Sequence, residues 1–100
     1  MARTAIHPGV HLRDELNERG ITPTELARQI QVPPNRITGI LNGTRGITGD
    51  TALRLGHWFA MNPQFWLNLQ SSYDLRVAEA EAGKAIAKLP TCAGSQSARG

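Results

Sequence analysis

Apolar residues recur along this chain at the three- and four-residue spacing of an α-helix, and the alternating apolar and polar runs of a strand are nearly absent. A first helix is predicted from about Gly9 to Arg19. Leu12 and Leu16 lie on one face of it, and Gly20 suits the position after a helix end. The pattern therefore favours an all-α fold built from short helices.

Two further short helices follow, separated by a forced break. The segment Thr22-Pro23-Thr24-Glu25 predicts a helix start, with a threonine cap, a proline in the first turn and the glutamate of a capping box. Val32-Pro33-Pro34 ends that helix near Gln31, because the backbone before a proline disfavours helical geometry. A third helix is predicted from Pro34 to Leu41, ending at Asn42-Gly43. Its apolar side carries Ile37, Ile40 and Leu41, and its opposite side carries Asn35, Arg36, Thr38 and Gly39.

The rest of the chain predicts two more helices and a tail. Thr48 caps a fourth helix, and Asn62-Pro63 starts a fifth that keeps helical spacing through to Gly83. The composition changes after residue 89, where Ser, Gly, Ala and Gln dominate, so residues 90–100 are predicted to be a disordered tail. We expect residues 1–6 to form a short N-terminal arm and residues 7–89 a single domain with an extended C-terminal helix.

Composition narrows the function classes. The chain has 100 residues, of which 40% are hydrophobic and 19% charged, which suits one modest core. A single cysteine and three scattered histidines provide neither an intramolecular disulfide nor a four-ligand zinc set. No apolar run reaches the ~20 residues that a membrane span needs, and no nucleophile–base arrangement is visible. We therefore expect a cytoplasmic protein that is not an enzyme, with no metal, no other cofactor and no small-molecule substrate.

The second and third helices carry the functional signal. Each is too short to be stable alone, so they must pack crosswise on a core, which is the helix-turn-helix arrangement of many DNA-binding proteins. The net charge is +3, and residues 28–54 hold four arginines against one aspartate. This positive charge brackets the proposed recognition helix, where DNA phosphates would lie. The competing interpretation is a helical bundle whose arginines are solvated at the surface and do not contact DNA.

The order of several separated motifs resembles one family. Residues 22–43 resemble the helix-turn-helix of XRE-type repressors, whose domains are compact, five-helical and lambda-repressor-like. The further matching stretches are His7-Pro8-Gly9 with Leu12, the run from Leu41 to Leu55, and the run from Asn62 to Gln70 with Tyr73-Asp74-Leu75. Together they are similar to HigA-type antitoxins, the antidotes of HigBA toxin–antitoxin modules, over about residues 7–80.

The resemblance implies a dimer that binds palindromic operator DNA in its own promoter and pairs with HigB, a RelE-like toxin that cuts messenger RNA. The positions that reach base edges in such proteins are held here by Pro34, Asn35, Thr38 and Gly39. The positions that usually contact phosphates are held by Thr22, Thr24, Arg36, Asn42 and Arg45. Pro34 and Gly39 depart from the family, because neither side chain can hydrogen-bond to a base. Direct readout would then depend on Asn35 with adenine, on Thr38 with a thymine methyl, and on Arg36 if it turns toward guanine.

The sequence also predicts a dimer interface and leaves other functions open. Apolar residues of the fifth helix exceed what a five-helix monomer needs, and we expect a homodimer interface formed by Phe65, Trp66, Leu69 and Tyr73. The toxin is expected to bind a folded helical face. The alternatives are a stand-alone XRE-type repressor without a toxin partner, and an adaptor that has kept the fold and lost DNA binding.

Overall fold

The computed structural model of the protein describes residues 4–92, and within this range the chain forms five α-helices and no strand. The all-α prediction is confirmed. The first three residues of the predicted arm and residues 93–100 of the predicted tail lie outside the described residues. The helices are α1 (Pro8–Arg19), α2 (Pro23–Ile30), α3 (Pro34–Leu41), α4 (Gly49–Phe59) and α5 (Gln64–Ala87).

Side chains cap the helix starts largely as the sequence predicts. The hydroxyl oxygens of Thr22 and Thr48 accept the backbone N–H groups of residues three positions later, at 3.1 and 3.4 Å. Asn62 accepts the N–H of Gln64 at 2.9 Å. The capping box is only half formed, because the Glu25 carboxylate bonds to side chains further along α2 instead of returning to Thr22.

The start of α1 was predicted one residue late. The Nδ1 atom of His7 accepts the N–H of Gly9 at 2.9 Å, so His7 is the cap and Pro8 opens the helix. The prediction missed this cap because histidine is not among the residues that commonly cap helices. The fifth helix likewise runs past Gly83 and ends at Ala87.

The core lies between α1, α2, α3, α4 and the first half of α5. Its largest fully buried side chain is Trp66, which is 0% exposed and lies against His11, Phe59 and Phe65. The prediction that Trp66 belongs to a dimer interface is therefore wrong: helical periodicity placed it on the apolar stripe of α5 but could not show that this part of the stripe is already covered. The other buried hydrophobic residues are Leu12, Leu16, Leu26, Ala27, Ile30, Val32, Ile37, Ile40, Ile47, Ala52 and Leu55.

The crossing of α1 and α3 depends on Gly9. A Cβ atom at this position would lie 2.1 Å from the carbonyl oxygen of Ile40 and 3.0 Å from its carbonyl carbon. Only a residue without a side chain lets the two backbones approach this closely. Gly9 therefore sets how α3 lies on the rest of the domain.

The second half of α5 is mostly exposed and elongates the molecule. The principal extents are 53 × 25 × 22 Å, and Trp66 is the one buried residue of α5. Leu75, Ile86 and Leu89 are each more than half exposed at this end. None of the described helices combines the length and the apolar character that crossing a membrane requires.

Candidate nucleic-acid interface

The turn between α2 and α3 is short and tightly held. Gln31 adopts a left-handed conformation (φ 59°), and the N–H of Val32 donates to the carbonyl of Ala27 at 3.0 Å. Such a turn ends a helix abruptly while satisfying its last carbonyls. Val32 is buried, and Pro33 and Pro34 then start α3 in a new direction. The predicted helix-turn-helix is thus formed by residues 23–41.

The recognition helix α3 has one buried and one exposed side. Ile37 and Ile40 are 0% exposed and fix the helix on the core. Pro34 lies exposed in the first turn, beside the opposite side of the helix. We call this opposite side the polar face; it consists of Asn35, Thr38, Gly39 and Asn42, all exposed except the half-exposed Gly39.

The polar face has free hydrogen-bonding capacity. The side chains of Asn35 and Asn42 make no hydrogen bond to other residues of the described range 4–92. The hydroxyl of Thr38 donates back to the carbonyl of Pro34 at 3.4 Å, which leaves its methyl group available for contact. A row of exposed donors, acceptors and a methyl group on a helix of this width is what the DNA major groove can accommodate.

Arg36 lies beside the polar face but is already paired. Its Nη1 donates to Asp50 Oδ2 at 2.7 Å, and the same oxygen accepts Arg54 Nε at 2.9 Å. Hydrogen bonds from Arg54 and Arg36 hold the pKa of Asp50 below its usual range. Arg54 Nη1 also donates to the carbonyl of Ile30 at 2.8 Å, so the network ties together the ends of α2, α3 and α4.

Asp50 was not predicted from the sequence as part of this site. Its spacing to Arg54, four residues later on the same helix, is a sequence signal for that pair. The bond to Arg36 has no such signal, because fourteen residues and a loop separate the two partners.

In the loop after α3, residues 44 and 45 both bind to the carbonyl group of Gly39. The carbonyl oxygen of Gly39 accepts the N–H of Thr44 at 3.0 Å, the N–H of Arg45 at 3.1 Å and the hydroxyl of Thr44 at 3.2 Å. The other side of the loop is held by Gln70 of α5, whose Oε1 accepts the N–H of Ile47 at 2.7 Å. Both ends of this loop are thereby fixed relative to α3.

The start of α2 presents the two predicted threonines to solvent. Thr22 and Thr24 are exposed, and the hydroxyl of Thr22 is engaged as the cap. Glu25 accepts hydrogen bonds from Arg28 and Gln29, and these bonds, that from Arg28 above all, lower the pKa of Glu25 to about 2. The charge of Arg28 is therefore largely neutralised within α2.

The remaining residues of the predicted dimer interface, Phe65, Leu69 and Tyr73, lie on the side of α5 that faces α1. The ring of Phe65 is 5.0 Å from that of His11, and the ring of Tyr73 is 4.9 Å from that of His7. Leu69 and Tyr73 also line a groove of about 440 Å³ between α1 and α5. Two exposed apolar residues at the edge of this groove, Ile6 and Val10, are 62% and 53% exposed.

The histidines and acids do not assemble into a metal site in the part of the chain that the structure describes. His7 is a helix cap and His11 packs on the rings of α5. His57 is exposed on α4. These positions give each histidine a role in packing or at the surface.

Comparison with known proteins agrees with this geometry. A family profile described as Helix-turn-helix matches residues 12–57. The chain is 50% identical over 76 residues to virulence-associated protein I of Dichelobacter nodosus, covering 75% of this chain and 70% of that protein. It also resembles the solved structure of an addiction module antidote protein of the HigA family from Coxiella burnetii, with 46% identity, a TM-score of 0.86, and coverage of 90% of this chain and 99% of that one.

A further solved structure resembles the chain to the same degree. It contains the Pseudomonas aeruginosa antitoxin HigA with the higBA promoter, and it is 45% identical with a TM-score of 0.84, covering 87% of this chain and 97% of that chain. The two structural matches cover 87–90% of this chain, and the family profile includes the helix-turn-helix at residues 23–41. The chain therefore belongs to the HigA-type antitoxin family of XRE-type helix-turn-helix proteins.

Proposed function

We propose that this protein is an antitoxin that represses its own operon, binding operator DNA through the polar face of α3 and neutralising a HigB-type toxin. The observation that carries the DNA-binding part is the exposed face of Asn35, Thr38 and Asn42, whose side chains have few or no hydrogen-bond partners among residues 4–92. The similar Pseudomonas aeruginosa antitoxin was solved with promoter DNA, which supports the same use of the fold here.

The proposed roles follow from side-chain chemistry. Asn35 pairs with adenine in the major groove, and the methyl group of Thr38 contacts a thymine methyl. Thr22, Thr24 and Asn42 contact phosphates on either side. Arg36 adds positive charge beside the groove while its pairing with Asp50 keeps α3 and α4 in register. Pro34 and Gly39 contribute shape only, so part of the specificity comes from DNA shape and half-site spacing.

A mobility-shift titration on the promoter upstream of its own gene tests this assignment. We expect the shift to weaken steeply as salt increases, because released counterions contribute to binding. Asn35→Ala should reduce operator affinity by about 5- to 150-fold with a smaller effect on unrelated DNA. Asn17→Ala, an exposed asparagine on α1, is the matched control. No shift at low salt would contradict DNA binding and favour the adaptor.

We further propose that the protein acts as a homodimer whose interface includes Phe65, Leu69 and Tyr73 together with Ile6 and Val10. Two recognition helices about 34 Å apart would match an inverted repeat. Sedimentation equilibrium should give a dimer at micromolar concentration, and Val10→Asp should convert it to a monomer. Leu53→Asp changes a leucine on α4 that is 63% exposed, more than Val10, and should leave the dimer intact. A wild-type monomer would refute this part of the proposal.

Binding to a toxin is tested by co-expressing the protein with the product of the neighbouring gene. Co-expression should yield a complex of the two proteins and protect messenger RNA from cleavage. If no complex forms although the promoter is bound, the protein is a stand-alone repressor, since the DNA chemistry of both functions is the same.

A further inference from the structure

We propose that Arg45 reads a guanine base in the major groove, and that Gly39 is the residue that admits the Arg45 side chain onto the polar face of α3. The inference rests on the proposed DNA-binding function. It differs from the phosphate contact that family resemblance implies for Arg45.

The side chain of Arg45 lies directly against Gly39. A Cβ atom added at Gly39 would lie 3.1 Å from the Cβ of Arg45 and 3.5 Å from its Nε. The stem of Arg45 therefore lies across the place that a side chain at residue 39 would fill. Gly39 lies on the polar face one helical turn from Asn35, the residue proposed to pair with adenine. The guanidinium thus belongs to the surface that faces the bases.

The loop holds Arg45 in this place. Two backbone N–H groups and one hydroxyl of residues 44 and 45 donate to the Gly39 carbonyl, and Ile47 is anchored to Gln70. Because these bonds fix the backbone, the direction in which the side chain leaves the loop is also fixed. A preorganised side chain loses less conformational entropy when it binds.

The other arginines of residues 28–54 are engaged within the protein. Arg28 pairs with Glu25, while Arg36 and Arg54 share Asp50. The guanidinium of Arg45 is exposed and makes no ion pair or hydrogen bond to other residues of the described range. Arg45 therefore keeps its full donor fork for a ligand.

That fork matches one base edge. Guanine presents two acceptors, O6 and N7, in the major groove, and arginine binds them in a bidentate manner. The adenine- and thymine-directed side chains on α3 leave this edge unread, since Asn35 suits adenine and Thr38 suits thymine. Arg45 would complete a readout that Gly39 alone cannot provide.

The experiment compares wild type, Arg45→Ala and Arg45→Lys on promoter duplexes in which single guanines are replaced by 7-deazaguanine, which lacks the N7 acceptor. For wild type we expect one guanine per half-site at which replacement reduces affinity by several-fold. Arg45→Ala should lose about 5- to 150-fold on the unmodified operator and should be insensitive to replacement at that guanine. Arg45→Lys should recover little of the loss, because an ammonium group cannot form the same fork.

Gly39→Ala is an independent second variant. Its methyl group would lie 3.1 Å from the Arg45 Cβ and force the stem to shift by a few tenths of an ångström, so the guanine preference should fall although the helix is favoured by alanine. Circular dichroism should show that Gly39→Ala and Arg45→Ala both remain folded. The double variant should lose no more than Arg45→Ala alone.

Two results separate the failure modes. If Arg45→Ala weakens operator and unrelated DNA equally, lowers the salt slope by about one and keeps the wild-type 7-deazaguanine profile, Arg45 binds a phosphate and the inference is overturned while the proposed function stands. If wild type does not bind the promoter at low salt, both fail.

Discussion

Replacing Gly9 by alanine is expected to destabilise the domain through a contact that no side-chain rotation can relieve. The new Cβ would lie 2.1 Å from the backbone oxygen of Ile40. Even close C–H···O contacts in proteins keep carbon and oxygen about 3.3 Å apart. The backbones of α1 and α3 must therefore separate by roughly an ångström, and α3 moves with its polar face.

The size of the effect can be estimated from two opposing contributions. Overpacking costs about 1–3 kcal/mol and sometimes more, and the upper part of this range applies because the obstacle is backbone. The greater helix propensity of alanine offsets about 0.5–1 kcal/mol. We expect a net loss of about 2 kcal/mol, or roughly 8–16 °C in Tm for a domain of this size.

The measurement is thermal and urea unfolding followed by circular dichroism, with Gly49→Ala as the control. Gly49 is also a glycine in the first turn of a helix, but a Cβ there would meet nothing within 4 Å. Its substitution should be neutral or slightly stabilising. Equal stability of the two variants would refute the argument that Gly9 sets the α1–α3 crossing.

Two further predictions concern Gln70 and Glu25. Gln70→Ala leaves the partly buried N–H of Ile47 without its acceptor and should lower the free energy of unfolding in urea by about 1–3 kcal/mol. Gln64→Ala changes a glutamine of the same helix that forms an exposed hydrogen bond, and it should change stability by less than about 0.5 kcal/mol. Similar values for both variants would contradict the role of Gln70 in anchoring the loop. The folded pKa of Glu25 is about 2 against an ordinary 4.5, so its stabilising contribution is complete above pH 4.5 and is lost as the pH falls toward 2. Glu25→Gln should make the unfolding midpoint less dependent on pH in that window, while Glu18→Gln should follow wild type. If Glu25→Gln kept the pH dependence of wild type, the bonds from Arg28 and Gln29 would not be the cause of the acid-dependent loss of stability.

The sequence could predict features whose cause is local. Proline geometry placed the break at Val32-Pro33-Pro34, and threonine chemistry placed the starts of α2 and α4, because both act within a few residues. The exposure of Asn35 and Thr38 followed from helical periodicity once Ile37 and Ile40 were assigned to the core. The same local logic failed at the start of α1, where a histidine cap replaced the expected residue types.

Tertiary structure decided what depends on residues distant in the chain. The burial of Trp66 required α1 and α4 to cover its face of α5, which periodicity along α5 cannot reveal. Asp50 pairs with Arg36, which is 14 residues away in the chain. Gln70 accepts the N–H of Ile47, which is 23 residues away, and thereby holds the loop. The sequence by itself determined which helices form and which side chains of α3 face away from the core, because short-range sterics, hydrogen bonds and helical periodicity govern both. Only the packed structure determined which of the four arginines of residues 28–54 is left without an acidic partner in the described range, because that depends on which acids the fold brings within reach.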